Sequence, residues 1–169
     1  MEDKIAGRRM WIFVLLWAAV TAFILSNSLQ PADASNARSH GIADWLYGFP
    51  FFRRWMAADR FHRFVRKLAH FAEFGAAGLC IGGFINNLGR IKNERYISLP
   101  LLIALATAVW DESIQLMSGR SSSVRDVLID FAGAVCGIAF MWLMSALSRK
   151  QTYTGGKHEA GKVNGGKAP

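Results

Sequence analysis

Four long apolar runs dominate the chain, and each is about as long as a membrane-crossing helix. They cover roughly residues 10–29, 68–85, 99–117 and 124–147. A helix needs about 20 mostly apolar residues to cross about 30 Å of hydrocarbon. The pattern therefore predicts an all-α fold, an integral membrane bundle of four transmembrane helices over residues 10–147.

The first run has features of a signal peptide as well as of a membrane anchor. Basic residues precede it, and Ala32-Asp33-Ala34 resembles a small-residue cleavage site. Its apolar stretch is long for a signal-peptide core, and the later spans need an even total number of crossings. We therefore predict that it remains in the chain as the first transmembrane helix, after a cytoplasmic tail of residues 1–9.

Aromatic and basic residues alternate between the first two runs. The aromatic members are Trp45, Tyr47, Phe49, Phe51, Phe52, Trp55, Phe61 and Phe64, and the arginines are Arg53, Arg54, Arg60, Arg63 and Arg66. Such a mixture favours an amphipathic segment in the headgroup layer, with a solvated loop as the alternative. The i, i+3, i+4, i+7 spacing from Phe61 to Leu68 predicts that the second helix begins early, with Asp59 as its N-cap.

The composition agrees with a membrane protein. Hydrophobic residues make up 52% of the 169 residues and the mean hydropathy is +0.20, which excludes a disordered chain. Residues 148–169 are the exception, because glycine, lysine and polar residues without periodicity predict a disordered basic tail there. The net charge of +8 lies mainly between apolar runs, where loop orientation and anionic lipids explain it, so no nucleic-acid partner is predicted.

The distribution of positive charge gives a weak indication of orientation. Eleven of the 20 lysines and arginines fall on the side that holds both termini and the 86–96 loop. Because cytoplasmic loops carry the excess of positive residues, we expect both termini in the cytoplasm and the chain in the inner (cytoplasmic) membrane.

Ionisable and polar side chains interrupt the apolar runs near their ends. Inside a span such groups are costly unless they are paired or hydrated, so they mark a candidate site. The ends of odd-numbered spans and the beginnings of even-numbered spans face one compartment, so these groups should gather at one end of the bundle. The candidate site residues are Arg66, Lys67, His70, Glu73, Asp111, Glu112, Gln115, Arg120, Asp126 and Asp130.

Helical periodicity indicates which way the fourth span faces. At about 100° per residue, Asp126 and Asp130 fall on one narrow stripe with the two glycines of Gly133-x-x-x-Gly137. Small residues at this spacing let helices approach closely in lipid, and Gly78-x-x-x-Gly82 offers a second such face. We therefore expect the carboxylates to point into the bundle, and the small-residue faces also allow a homo-oligomer.

Three ordered motifs resemble the VanZ-like family of small bacterial membrane proteins. They are R-K-x-x-H-x-x-E-F from Arg66, D-E-x-x-Q from Asp111, and G-R followed after five residues by D-x-x-x-D from Gly119. The resemblance covers roughly residues 68–137, with Ser26 and Ser28 as outlying members.

The resemblance implies a cell-envelope role, an outward-facing motif end and a link to tolerance of the glycopeptide antibiotic teicoplanin. It implies no reaction. Two positions depart from the family pattern: Phe74 stands where an aromatic residue, often tyrosine, is usual, and Asp130 stands where asparagine is expected. The second departure alters the charge balance of the candidate site.

The residue types favour a binding pocket for an envelope lipid headgroup or a lipid-linked cell-wall precursor. Arg66 and Arg120 would engage phosphate through their forked donors. Asp111, Glu112 and Gln115 would accept hydrogen bonds from sugar or amide groups. Because four positive charges, including Arg125, nearly cancel five negative ones, a purely structural charge network is the main alternative.

Three other functions are less favoured. A membrane-embedded enzyme would use His70 as a general base, oriented by Glu73 or Asp126, on a lipid ester or phosphoester. No G-x-S-x-G element or phosphate loop supports it. No metal or other cofactor is predicted, because carboxylate-bridged metal bundles use a second histidine motif and Cys80 and Cys136 lack metal-binding spacing. Proton-coupled transport would need an oligomer.

Overall fold

The computed structural model of the chain describes residues 2–30, 41, 43–120 and 122–164, and every regular element in these ranges is a helix. Four helices are long and apolar enough to span a membrane, which confirms the predicted all-α bundle of four spans. The elements in chain order are α1 (Glu2–Ser28), α2 (Pro50–Trp55), α3 (Ala58–Lys92), α4 (Ser98–Met117) and α5 (Val124–Asn164). The proposed cleavage site at residues 32–34 lies outside the described residues.

Helix α3 begins ten residues before Leu68, as the apolar spacing predicts, but Asp59 is not its N-cap. The N-cap is Ala57, whose backbone is extended and whose side chain offers no capping oxygen. Asp59 lies in the first helical turn instead, where its negative charge interacts favourably with the positive end of the helix dipole.

The segment before α3 is held by aromatic packing. Residues 43–47 are helical and α2 follows them. The buried ring of Phe61 lies 5.3 Å from that of Tyr47 and 5.1 Å from that of Phe52, measured between centroids, and the Tyr47 hydroxyl donates to the carbonyl of Met56 at 3.0 Å. Phe51 and Trp45 are exposed. The position of this segment in the headgroup layer stays a prediction.

Helix α3 is the centre of the bundle and packs most extensively against α5 and α1. Glycines bring the α3 and α5 backbones into contact: a Cβ on Gly78 would lie 2.0 Å from the carbonyl oxygen of Ala134, and one on Gly137 would lie 2.1 Å from that of Gly75. The predicted small-residue faces therefore meet within one chain. A homo-oligomer stays a prediction, and these buried glycines offer it no free face.

An apolar core fills the space between the helices on the membrane side of the polar residues. Its buried members are Ile24, Phe74, Ala77, Ile81, Ile85, Ala104, Ala108, Ala134 and Ile138. They come from all four spanning helices, so burial of their side chains fixes the rotation of each helix and, with it, the direction of the polar groups one or two turns away.

The membrane-spanning part of α5 is Val124–Ser148, close to the predicted end at Leu147. Helix α5 extends to Asn164. The disordered basic tail over residues 148–169 stays a prediction. The last five residues, 165–169, lie outside the described part of the chain.

Candidate functional site

The polar ends of the four spanning helices meet at one end of the bundle. Ser28, the last residue of α1, donates a hydrogen bond from its hydroxyl to Oδ1 of Asp111 on α4 at 2.5 Å. On the other side of the cluster, Nζ of Lys67 on α3 lies 2.8 Å from Oδ1 of Asp126 on α5. These two contacts join α1 to α4 and α3 to α5, both at the end that the crossing pattern predicts.

Asp111 is the most deeply buried member of the cluster, with 0% of its surface exposed. Its Oδ2 accepts a hydrogen bond from the side-chain amide of Gln115 at 2.8 Å, one turn along α4, while its Oδ1 accepts from Ser28. The hydroxyl of Ser118 in turn donates to the carbonyl of Ser28 at 3.0 Å. Neutral donors from α1 and α4 therefore hold the Asp111 carboxylate in one orientation.

The turn between α4 and α5 closes over this layer. Gly119 has the left-handed φ of 73°, which a residue with a side chain adopts only with strain. The turn allows the backbone N–H of Arg120 to donate to the carbonyl of Gln115 at 3.0 Å. It also allows the hydroxyl of Ser122 to donate to the buried carboxylate of Glu112 at 2.5 Å.

Two guanidinium groups lie close together in the cluster. Arg120 makes a long hydrogen bond of 3.4 Å from Nη1 to the carbonyl of Asn27. Burial lowers the pKa of Arg120, and the positive charge of Arg66 lowers it further. Within the described ranges, no carboxylate oxygen lies within 4.0 Å of either guanidinium. Arg125 also belongs to this end of α5, but it is exposed and does not line the cavity.

His70 faces Asp130 rather than either of the carboxylates expected to orient it. Nδ1 of His70 lies 3.6 Å from Oδ1 of Asp130, and the Asp130 side chain is 1% exposed. Asp126 instead accepts from Lys67 and from the hydroxyl of Ser123 at 2.7 Å. Glu73 is half-buried on α3, about one helical turn after His70.

The turn between α4 and α5 is rich in serine, a possible nucleophile, but its described serines give no support to nucleophilic catalysis. Ser118, Ser122 and Ser123 direct their hydroxyls to backbone carbonyls or carboxylates, and among the described serines none donates to His70. Ser121 lies outside the described residues. Covalent catalysis needs a nucleophile in hydrogen-bond reach of its base, and no described serine forms this pair with His70.

A small cavity of about 20 Å³ opens at the centre of the cluster, with room for about one water molecule. Eight of the ten predicted site residues line it, and Glu73 and Asp111 do not. The lining residues are Arg66, Lys67, His70, Glu112, Gln115, Arg120, Asp126, Ile129 and Asp130. We call this cavity and its lining residues the charged rim.

Three hydroxyl groups belong to the site although they are not among its ten predicted residues. Ser28 holds Asp111, Ser122 holds Glu112, and Ser118 joins α4 to α1. The resemblance pointed to Ser26 and Ser28 together, but Ser26 is exposed and donates to the carbonyl of Phe23 in its own helix. The i, i+2 spacing puts the two serines on different faces of α1, and the sequence does not say which face meets the bundle.

A larger cleft of about 660 Å³ lies at the opposite end of the bundle, between the end of α3, the α3–α4 loop and α5. Arg90, Arg95 and Trp142 are among its lining residues, and Asn86 donates to Ser145 at 2.9 Å in its wall. Tyr96 donates to Glu94 there, and this hydrogen bond raises the pKa of Tyr96. These residues carry no motif, so sequence reasoning did not single them out.

Comparison with known protein families gives a match over most of the chain. The family model described as VanZ/LLP1 matches residues 10–145 of the chain. This range contains the apolar part of all four spanning helices and all ten predicted site residues. No curated protein and no solved structure shows significant similarity to the chain.

Proposed function

The chain belongs to the VanZ/LLP1 family, and we propose that this multi-pass membrane protein binds the phosphate-bearing headgroup of an envelope lipid or of a lipid-linked cell-wall precursor at its charged rim. The observation that carries the proposal is the pair of guanidinium groups, Arg66 and Arg120. Both line the same opening, and no carboxylate of the described chain lies within 4.0 Å of either.

The positive guanidinium groups of Arg66 and Arg120 repel each other, and an anion bound between them would relieve this repulsion. A guanidinium presents planar, forked N–H donors that match two phosphate oxygens at once. Burial and the charge of Arg66 lower the pKa of Arg120, whereas the carboxylates of Asp111, Glu112 and Glu73 raise it. An added negative charge would offset the repulsion between the two guanidinium groups. A phosphate group supplies that charge together with acceptor oxygens.

The headgroup would sit at the mouth of the cavity rather than inside it. The volume of about 20 Å³ holds about one water molecule, which is too small for a phosphate ester. The Lys67 side chain is 41% exposed at this mouth and is free to reach a second phosphate oxygen after leaving Asp126. Its ion pair is partly exposed, and such pairs contribute only about 0.2–1 kcal/mol.

The acidic and amide residues take different roles in this proposal. Glu112 and Gln115 line the cavity and are placed to accept from, or donate to, the sugar or amide groups of the ligand. Asp111 lies beneath the cavity with both oxygens already accepting hydrogen bonds, so it positions Gln115 and does not contact the ligand.

The proposed role in the cell depends on which side of the membrane the charged rim faces. We place the chain in the inner membrane with cytoplasmic termini, which points the charged rim outward to where wall precursors are exposed. A precursor covered by this rim would be less accessible to a glycopeptide such as teicoplanin. Cells producing the protein should then tolerate higher teicoplanin concentrations than cells producing the Arg120→Gln variant at equal abundance.

The direct test is lipid binding by the purified full-length protein. Nanodiscs would present phosphatidylglycerol, a polyprenyl-diphosphate-linked precursor, or neutral diacylglycerol, and native mass spectrometry would measure binding. We expect the wild type to bind the phosphate-bearing lipids, and Arg66→Gln and Arg120→Gln each to bind at least about tenfold more weakly. A hydrogen bond to a charged group contributes about 1.5–3 kcal/mol, and 1.4 kcal/mol is tenfold.

The chain offers matched controls for both substitutions. Arg63 lies on α3 one turn before Arg66, and Arg125 lies on α5 next to Asp126, and both are exposed. Arg63→Gln and Arg125→Gln remove the same charge from the same end of the molecule and should leave lipid binding within about twofold of wild type. Equal losses in all four variants would indicate general charge attraction, and no loss in any would exclude the phosphate site.

A further inference from the structure

Three side chains that could bind a metal converge at the charged rim: His70 and Asp130 line its cavity, and Asp111 lies behind them. One ligand atom each from His70 on α3, Asp111 on α4 and Asp130 on α5 lies within 4.8 Å of the other two. Their helices are fixed by the glycine contacts and the apolar core, so the convergence does not depend on a surface loop.

The polar atoms at this point are incompletely satisfied. Asp130 is 1% exposed, and its Oδ2 has no hydrogen-bond partner within the described chain, nor does Nδ1 of His70. A buried oxygen without a partner is costly, and buried polar groups are nearly always hydrogen-bonded. Two carboxylates buried this close together also repel each other unless a proton or a cation lies between them.

We propose that His70, Asp111 and Asp130 bind a divalent transition-metal cation of the Zn²⁺ type. One imidazole nitrogen with two carboxylate oxygens is a donor set that suits Zn²⁺, whereas Mg²⁺ and Ca²⁺ prefer oxygen alone. Ser28 and Gln115 would hold the Asp111 carboxylate from behind, as residues around a metal site do. The site stands independently of the lipid proposal.

This proposal runs against the sequence expectation of no metal. That expectation required a second histidine motif on another helix, as in carboxylate-bridged bundles. Here carboxylates from α4 and α5 complete the set instead. An asparagine at position 130 would offer a neutral and much weaker ligand.

The experiment uses full-length protein with its affinity tag removed, stripped with a chelator, and loaded with Zn²⁺ or with Co²⁺ as a spectroscopic probe. We expect the wild type to retain one equivalent of Zn²⁺ after desalting, and Co²⁺ to give the visible absorption of a low-symmetry site. Asp130→Asn should bind at least tenfold more weakly, and Asp59→Asn, which alters an exposed carboxylate on α3, should match the wild type.

His70→Gln provides an independent variant, so the test does not depend on the folding of Asp130→Asn. Less than 0.2 equivalents of metal on the wild type, or equal retention by His70→Gln and the wild type, would overturn the proposal in favour of a shared proton. Lipid binding of the chelator-stripped protein is measured separately. Loss of the metal site with intact lipid binding, or the reverse, therefore identifies which of the two proposals fails.

Discussion

At the residue scale, the candidate site is built around buried carboxylates rather than around its arginines. Asp111 and Glu112 are both buried, and each accepts a short hydrogen bond from a serine hydroxyl, Ser28 or Ser122. Direct pairing with an arginine would neutralise these carboxylates and occupy the guanidinium groups. Serine donors satisfy the carboxylates and leave the guanidinium groups available.

Replacement of Ser28 tests this arrangement. Ser28→Ala removes one of the two donors to a fully buried carboxylate, and an unsatisfied buried acceptor costs about 1–3 kcal/mol. We expect the free energy of unfolding in mixed micelles to fall by about that amount. The measurement is reversible unfolding with increasing mole fraction of a denaturing detergent.

Ser26→Ala is the matched control, because Ser26 is exposed and bonds only within its own helix. Its effect should stay below about 0.5 kcal/mol, as for most exposed substitutions. If Ser28→Ala is no more destabilising than this control, the hydrogen bond to Asp111 is not part of the folded state in the membrane.

At the element scale, the contact of α3 with α5 decides whether the site can form. His70 and Asp130 face each other only because glycines one or two turns further along bring the two backbones together. In a bilayer the apolar side chains are already out of water, so the hydrophobic effect does not drive helices together. Close packing is then a main source of helix association.

Gly137→Ala should separate the two helices. Its Cβ would lie 2.1 Å from the carbonyl oxygen of Gly75, a contact with backbone that cannot be relieved by a side-chain rotation. Overpacking of this kind costs about 1–3 kcal/mol. We expect a loss of stability in the same unfolding assay, together with weaker Zn²⁺ binding because Asp130 moves away from His70.

Gly75→Ala is a control within the same interface. A Cβ at Gly75 would lie 3.6 Å from the carbonyl oxygen of Gly133, an ordinary van der Waals distance. This variant should be as stable as the wild type or slightly more stable, because alanine favours helix over glycine. Equal destabilisation by both substitutions would show that helix separation is not the cause.

At the scale of the whole molecule, the proposed charged rim requires an even number of membrane crossings. The polar ends of α1 and α4 and the beginnings of α3 and α5 lie at one end, and the α3–α4 loop lies at the other. Four spans satisfy this arrangement with both termini on the side of that loop.

Cysteine labelling measures this topology in intact cells. In a background in which the exposed Cys136 is replaced by serine, Arg63→Cys and Arg125→Cys should react with a membrane-impermeant maleimide from outside. Lys92→Cys and Arg95→Cys, at the opposite end, should react only after permeabilisation. Labelling of residues 63 and 125 from opposite sides would contradict the four-span arrangement, and labelling of both only after permeabilisation would invert its orientation.

Much of the fold could be predicted from the sequence because the governing physics is local. Hydrocarbon thickness fixes the length of a span, and helical periodicity fixes which residues share a face. The four spans, the early start of α3 and the gathering of eight of ten predicted residues around one cavity follow from these rules. The predicted N-cap at Asp59 was wrong because capping depends on the backbone angles of a single residue.

Tertiary structure alone decided which polar groups are partners. The Ser28 and Asp111 side chains are 83 positions apart in the chain and bond only after four helices have packed. A shift of α5 by one helical turn, about 6 Å along its axis, would exchange Asp130 for Asp126 opposite His70 while leaving the hydropathy pattern unchanged. Sequence therefore determined which residues reach the charged rim. The glycine contacts and the apolar core determined their pairing, because a hydrogen bond tolerates only small changes in the distance between donor and acceptor.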